Sequence, residues 1–168
     1  NVSRDYYIGI VKRYEAESFL DLGCGFGETY NLFIRNDIKV HYAGMDITRN
    51  FINICNQRYP GTEFMIGQMQ DVPFADASFD IVSSRCVLEH LPEPEPAIRE
   101  MGRLSAKAVV IIWFRWPGEI DKRVFMKDGY WLNDYRRDWM IDVANSSGLI
   151  LADEITNKHH LVWVLEKR

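Results

Sequence analysis

Long apolar runs are missing from this chain. The longest, residues 108–114, is far short of the roughly 20 residues that a membrane-crossing helix needs. Cysteine is scarce: Cys24, Cys55 and Cys86 are odd in number and far apart, which excludes a disulfide framework and predicts reduced thiols in a cytoplasmic setting. Neither sign of charge prevails. Against 24 Asp and Glu stand 20 Lys and Arg, a net of −4, so no basic field recommends a nucleic-acid partner. There is no internal repeat, no low-complexity tract, and no signal-peptide pattern at the start, which is Asn1. The 168 residues, 47% of them hydrophobic, suffice for one sizeable core, and a single domain over 1–168 is expected.

Glycine is thinly spread, with one exception. The stretch FLDLGCGFGET, residues 19–29, places Gly23, Gly25 and Gly27 between an apolar strand and an amphipathic run with Tyr30, Phe33 and Ile34 on one face. Strand, glycine turn and helix start in that order bring backbone close to a ligand. A dinucleotide fingerprint would need glycine at 28, where the chain has Glu28. A carboxylate in the first helical turn repels a pyrophosphate, so the loop suits a phosphate-free ligand. A turn of purely structural use is the plainer alternative. With Asp21, Gly23, Gly25 and Gly27 the stretch resembles the first motif, acid-x-G-x-G-x-G, of the class I methyltransferases that use S-adenosylmethionine.

Residues 3–15 read as a leading helix (1–16 with its flanks) with Tyr7, Ile10, Val11 and Tyr14 inward. Packing on the core explains it; in relatives of this fold such a helix also closes the cofactor site, which would bring Arg4, Tyr6 or Tyr7 near. Residues 40–46 read as a second strand ending on Asp46. Thr48 is expected to cap the next helix, whose apolar face holds Phe51, Ile54 and Cys55. An acid about 20 residues past the glycine turn is placed to hold ribose hydroxyls. A turn acid is its other reading, and NAD would satisfy the same position.

A third strand falls within 62–68, and residues 67–84 resemble the family stretch G-D-A-x-x-L-P-F-x-x-x-S-F-D through Gly67, Pro73, Phe74, Ser78, Phe79 and Asp80. The resemblance departs where the family's adenine-reading acid falls on Gln68, with Met69 beside it; a glutamine oxygen accepts the same bond, but neutrally. Asp71 is the rival acceptor. The fourth strand runs out at Ser83 and Ser84, so Arg85 and Cys86 are placed to line the methionine end of the cofactor. Glu89 and His90 follow in V-L-E-H-L. His90 is a candidate general base, and a structural role for both is the alternative.

Pro92, Pro94 and Pro96 mark a turn and a helix start, with Ile98, Met101 and Leu104 inward. Residues 107–114 read as a central strand buried on both faces. Residues 113–139 hold four of the five tryptophans and read as a long substrate loop, its aromatics either an acceptor wall or pins onto the core. A last helix is expected over 132–147, with Trp139, Met140, Val143 and Ala144 inward, and then two strands joined by NKHH. His159 and His160 are adjacent and so point to opposite faces, which does not make a metal pair; no metal site is expected.

The resemblance, which extends to the ubiquinone and menaquinone biosynthesis methyltransferases, implies a three-layer α/β/α sandwich. Its seven-stranded, mostly parallel sheet has the order 3-2-1-4-5-7-6, with strand 7 antiparallel. It also implies S-adenosyl-L-methionine as cofactor, S-adenosyl-L-homocysteine as product, and a small-molecule or glycan acceptor. The expected cofactor contacts are Asp21, Gly23, Cys24, Gly25, Gly27, Asp46, Ile47, Gln68, Met69 and Arg85. Two other classes stand beside it: a non-catalytic relative acting through a partner, and, further off, an NAD-dependent oxidoreductase.

Overall fold

The computed structural model describes residues 2–168, with side chains from residue 5 onward. In chain order the elements are α1 (Val2–Arg13), β1 (Ser18–Leu22), α2 (Glu28–Arg35), β2 (His41–Asp46), α3 (Arg49–Arg58), β3 (Glu63–Ile66) and β4 (Phe79–Arg85). There follow α4 (Glu95–Leu104), β5 (Ser105–Trp113), β6 (Lys122–Phe125), β7 (Trp131–Asp134), α5 (Arg137–Ser146), β8 (Leu149–Thr156) and β9 (Leu161–Lys167). Among the described residues no helix is long and apolar enough to cross a membrane.

Seven strands form one sheet in the order β3-β2-β1-β4-β5-β9-β8, and β9 runs antiparallel to both its neighbours. This is the sheet order expected from the sequence, with β8 and β9 as its sixth and seventh strands. Strands buried on both faces need apolar side chains on both, and β5 meets that demand with residues 108–113 all buried. On one face Phe19, Tyr42, Ile81, Val110 and Val164 pack under α1, α2 and α3. On the other Leu20, Val82, Val109, Trp113 and Trp163 pack under α4 and α5. The parallel register brings Leu22 level with Met45 and Ser84, Asp46 with Ile66, and Arg85 with Ile112, so the carboxyl ends of five strands share one rim. Ligands bind outside that rim in open α/β sheets.

Several local expectations fail, each for a physical reason. Ile34 is 52% exposed: α2 buries Thr29 and Phe33, a stripe one residue round from the one read off the sequence. On α3 the buried pair is Ile52 and Cys55, while Ile54 faces outward. Thr48 makes no side-chain cap; its backbone N–H donates to Asp46 Oδ1 at 2.8 Å, which makes an Asx turn that leads into the helix. The last helix starts at Arg137 rather than 132, because residues 131–134 are strand β7, paired antiparallel with β6. What reads as a long loop is therefore a small separate hairpin. In α1, Tyr7 is fully buried against Phe19, its ring 5.3 Å away, and Tyr6 packs on the same cluster. The third candidate from that helix, Arg4, lies outside the described side chains.

Candidate active site

The glycine turn begins with backbone hydrogen bonds at its base. The N–H groups of Gly23 and Cys24 both donate to the Met45 carbonyl, at 2.7 and 3.0 Å, fastening the end of β1 to the end of β2. Gly23 has φ 80°, and a Cβ there would sit 2.3 Å from Val87 Cγ2, so no other residue fits. Gly25 has φ 56° and nothing within 4 Å of where a Cβ would be. Its open side faces a cavity of about 510 Å³.

Gly23, Cys24 and Gly25 line that cavity with Asp46 and Ile47 at the end of β2, Gln68 and Met69 after β3, and Arg85 at the end of β4. Asp46 stands at the rim, its Oδ2 accepting from the Gly25 N–H at 3.0 Å while Oδ1 holds Thr48. The carboxylate thus joins the glycine turn to α3, and each oxygen retains a lone pair for a further donor. Ile47 is 67% exposed beside it. Phe26 and Phe51, 4.2 Å apart between ring centroids, supply an apolar wall. Glu28 lines the same space at the start of α2, 3.6 Å from Arg58. The cavity therefore carries two carboxylates at its glycine end, where a phosphate would be repelled.

Three expected site residues lie outside this lining. Asp21 is buried beneath it in β1, accepting from the Tyr42 hydroxyl at 2.9 Å and from Ser83 Oγ at 3.1 Å. Gly27 is the residue before α2 and faces inward, its missing Cβ leaving room for Tyr59, Phe64 and Cys55. Glu89 is wholly buried, and its Oε1 accepts from the backbone N–H of Phe114 at 2.8 Å and of Arg115 at 3.3 Å. Burial raises its pKa, against those hydrogen bonds, which lower it. It shapes the chain leaving β5 rather than facing the cavity. Burial, reinforced by the nearby Asp21 charge, likewise pushes the Cys24 thiol up and keeps it protonated.

His90 does line the cavity, and its support was invisible in the sequence. Its Nδ1 lies 2.8 Å from the carbonyl oxygen of Trp131 in β7. Two residues on, the fully buried Asn133 donates from Nδ2 to the Leu91 carbonyl at 2.8 Å. Two further, the Tyr135 hydroxyl donates to the carbonyls of Leu88, at 3.1 Å, and Leu91. β7 and Tyr135 just after it thus grip residues 88–91 at three points. Arg115 closes the frame with a bidentate pair to Asp134, at 2.7 and 2.6 Å. The only signal available was the alternation Trp131, Asn133, Tyr135.

A second support lies under the loop that follows β3. Arg103 of α4 donates to the backbone carbonyls of Val72, at 3.0 Å, and Phe74, at 2.8 Å, and pairs with Glu100 and Asp76. Glu100 in turn accepts from the Val72 N–H at 3.1 Å. Across the cavity Arg85 Nη2 lies 3.5 Å from His160 Nε2 in the β8–β9 turn. Among the described residues no group of three or more His, Cys, Asp or Glu is placed to hold a metal.

The family profile described as a methyltransferase domain matches residues 20–112. The chain is 34% identical over 101 residues to ajmaline N-methyltransferase of Rauvolfia serpentina, covering 56% of this chain and 34% of that one. It is 37% identical over 70 residues to fatty-acid O-methyltransferase of Mycolicibacterium smegmatis, covering 40% and 26%. The chain thus spans about a third or less of the length of these curated relatives. Its fold is that of the SAM-bound amino pentose methyltransferase of Micromonospora echinaspora, with a TM-score of 0.78 at 16% identity over 98% of this chain and 91% of that one. Matched over more than half its length, the chain belongs to the methyltransferase-domain family, in the class I fold that uses S-adenosylmethionine.

Proposed function

We propose that the cavity at the glycine turn binds S-adenosylmethionine and that the chain transfers its methyl group to a small-molecule or glycan acceptor. One observation carries the reading. The open face of Gly25, the Asp46 carboxylate and the acid Glu28 at the adjoining helix start make a pocket for a cationic, phosphate-free nucleoside. Bound there, the cofactor supplies an electrophilic methyl group on a cationic sulfur. Asp46 takes the ribose hydroxyls on its remaining lone pairs, Ile47 packs on the adenine face, and Gln68 with Met69 reads the adenine edge. Arg85 and Cys86 line the methionine end. Asp21, one layer below, orients that end through the close of β1 and any water bridging to it.

The residues then have to hold an acceptor in line with the reacting bond. Orientation of that kind accounts for roughly 7–11 kcal/mol of barrier lowering. His90 is the residue at the cavity placed to take a proton from the acceptor. The relatives' names span N- and O-acceptors, so the acceptor does not carry over from them. Calorimetric titration with S-adenosylhomocysteine tests the binding half, with NADH as the contrary ligand. Binding of NADH in preference would overturn the reading. Gln68, in place of the acid expected there, favours a second reading, a binding module without turnover. Tight adenosylhomocysteine binding with no turnover on fractionated cell extract would select it.

A further inference from the structure

The His90 end of the cavity has a chemistry of its own. A carbonyl oxygen only accepts, so the 2.8 Å contact to Trp131 requires the proton on Nδ1. In the neutral ring Nε2 then bears the lone pair. Phe114 lies against the imidazole at 5.7 Å and 33°, and Tyr130 meets it edge-on at 5.7 Å and 75°. Neither ring lines the cavity itself; each touches His90, which does, and each keeps an open side, Phe114 being 38% exposed and Tyr130 42%. Aromatic rings left wet beside a concave site mark a place for an apolar, flat partner.

We propose that this end of the cavity is the acceptor slot and that it takes a planar aromatic hydroxyl, its ring against Phe114 and Tyr130 and its O–H on Nε2 of His90. The inference rests on the methyl-transfer reading. It also follows from matching base to acid. A phenol is a much stronger acid than an alkanol and so gives its proton to a neutral imidazole more readily. A carboxylate needs no base at all. The balance is complete within the site. The phenol gives its proton to Nε2 and an oxygen electron pair to the methyl carbon. The carbon–sulfur pair stays on sulfur, which departs as neutral S-adenosylhomocysteine, and the positive charge ends on the His90 imidazolium. The titratable groups around it are Glu89 on the same turn, Tyr130 against its ring, and Arg85 and Cys86 across the cavity.

The test incubates the whole chain with S-adenosylmethionine and, in turn, catechol, 2-naphthol, cyclohexanol and benzoate, reading S-adenosylhomocysteine release. Catechol and 2-naphthol are expected to release it at least 100-fold faster than cyclohexanol or benzoate. His90→Gln lowers kcat by about 10²–10⁴-fold while calorimetry shows adenosylhomocysteine affinity unchanged. Tyr130→Ala raises KM more than it lowers kcat, and Tyr130→Phe restores it, a split that loss of folding does not produce. Adenosylhomocysteine binding without phenol-dependent release, or release that His90→Gln leaves intact, overturns the slot. Absence of adenosylhomocysteine binding in the same calorimeter overturns the methyl-transfer reading and the slot with it.

Discussion

Asp46 and Glu89 are both carboxylates near the rim, and their surroundings give them opposite work. Asp46 is partly buried, fixed by two backbone N–H groups and open to more. Hydrogen bonds to a charged acceptor are each worth about 1.5–3 kcal/mol. Asp46→Ala should therefore weaken adenosylhomocysteine binding about ten- to hundredfold in calorimetry; an unchanged affinity would remove Asp46 from the site. Glu89 is buried, and burial raises its folded pKa above the 4.5 of a free glutamate. The folded chain then holds a proton that the unfolded chain has already released. Stability from the neutral form is complete below about 4.5 and drains away as pH rises through the folded value. Glu89→Gln keeps an oxygen for the Phe114 and Arg115 N–H groups and never ionises. Urea unfolding at pH 5 and pH 8 should show the parent losing stability relative to the variant; parallel behaviour would contradict the assignment.

At the scale of elements, β7 and α4 are braces for loops that line the cavity. Asn133→Ala takes one of two donors from the Leu91 carbonyl and the side-chain acceptor from the Val124 N–H, and should cost about 1–3 kcal/mol. Its expected signature is a fall in kcat with adenosylhomocysteine affinity held within twofold, since the cofactor end is untouched. Arg103→Ala should do the reverse, loosening the loop that carries Gln68 and weakening cofactor binding several-fold with kcat at saturation kept. The glycine turn was legible in the sequence because backbone geometry leaves few residues free to stand there, as Gly23 against Val87 shows. The sheet was legible because strands buried on both faces are continuous apolar runs, β5 above all. The hairpin was not. Four-residue strands outside the main sheet leave only a brief alternation, and a 3.6-residue period running back from Met140 and Val143 through Leu132 masks it. Ile34 and Ile54 misled because an exposed isoleucine is ordinary on a surface.

For the whole molecule, a ligand that binds only the folded chain stabilises it by mass action. At a hundredfold excess over Kd the gain is about 2.7 kcal/mol. For a chain of this length that is a rise in Tm of about 5–11 °C. Adenosylhomocysteine should produce that shift in a thermal melt, and NADH at the same concentration should not. The match to the family profile ends at residue 112, at the close of β5, and the hairpin with its aromatic walls follows. Tyr130, a wall of the proposed slot, is bonded directly to Trp131, whose carbonyl sets the imidazole proton. Selectivity and reactivity are thereby wired in series. A lineage that drifts toward a bulkier guest by remodelling residue 130 will also retune its proton acceptor, so the two traits will evolve as a pair.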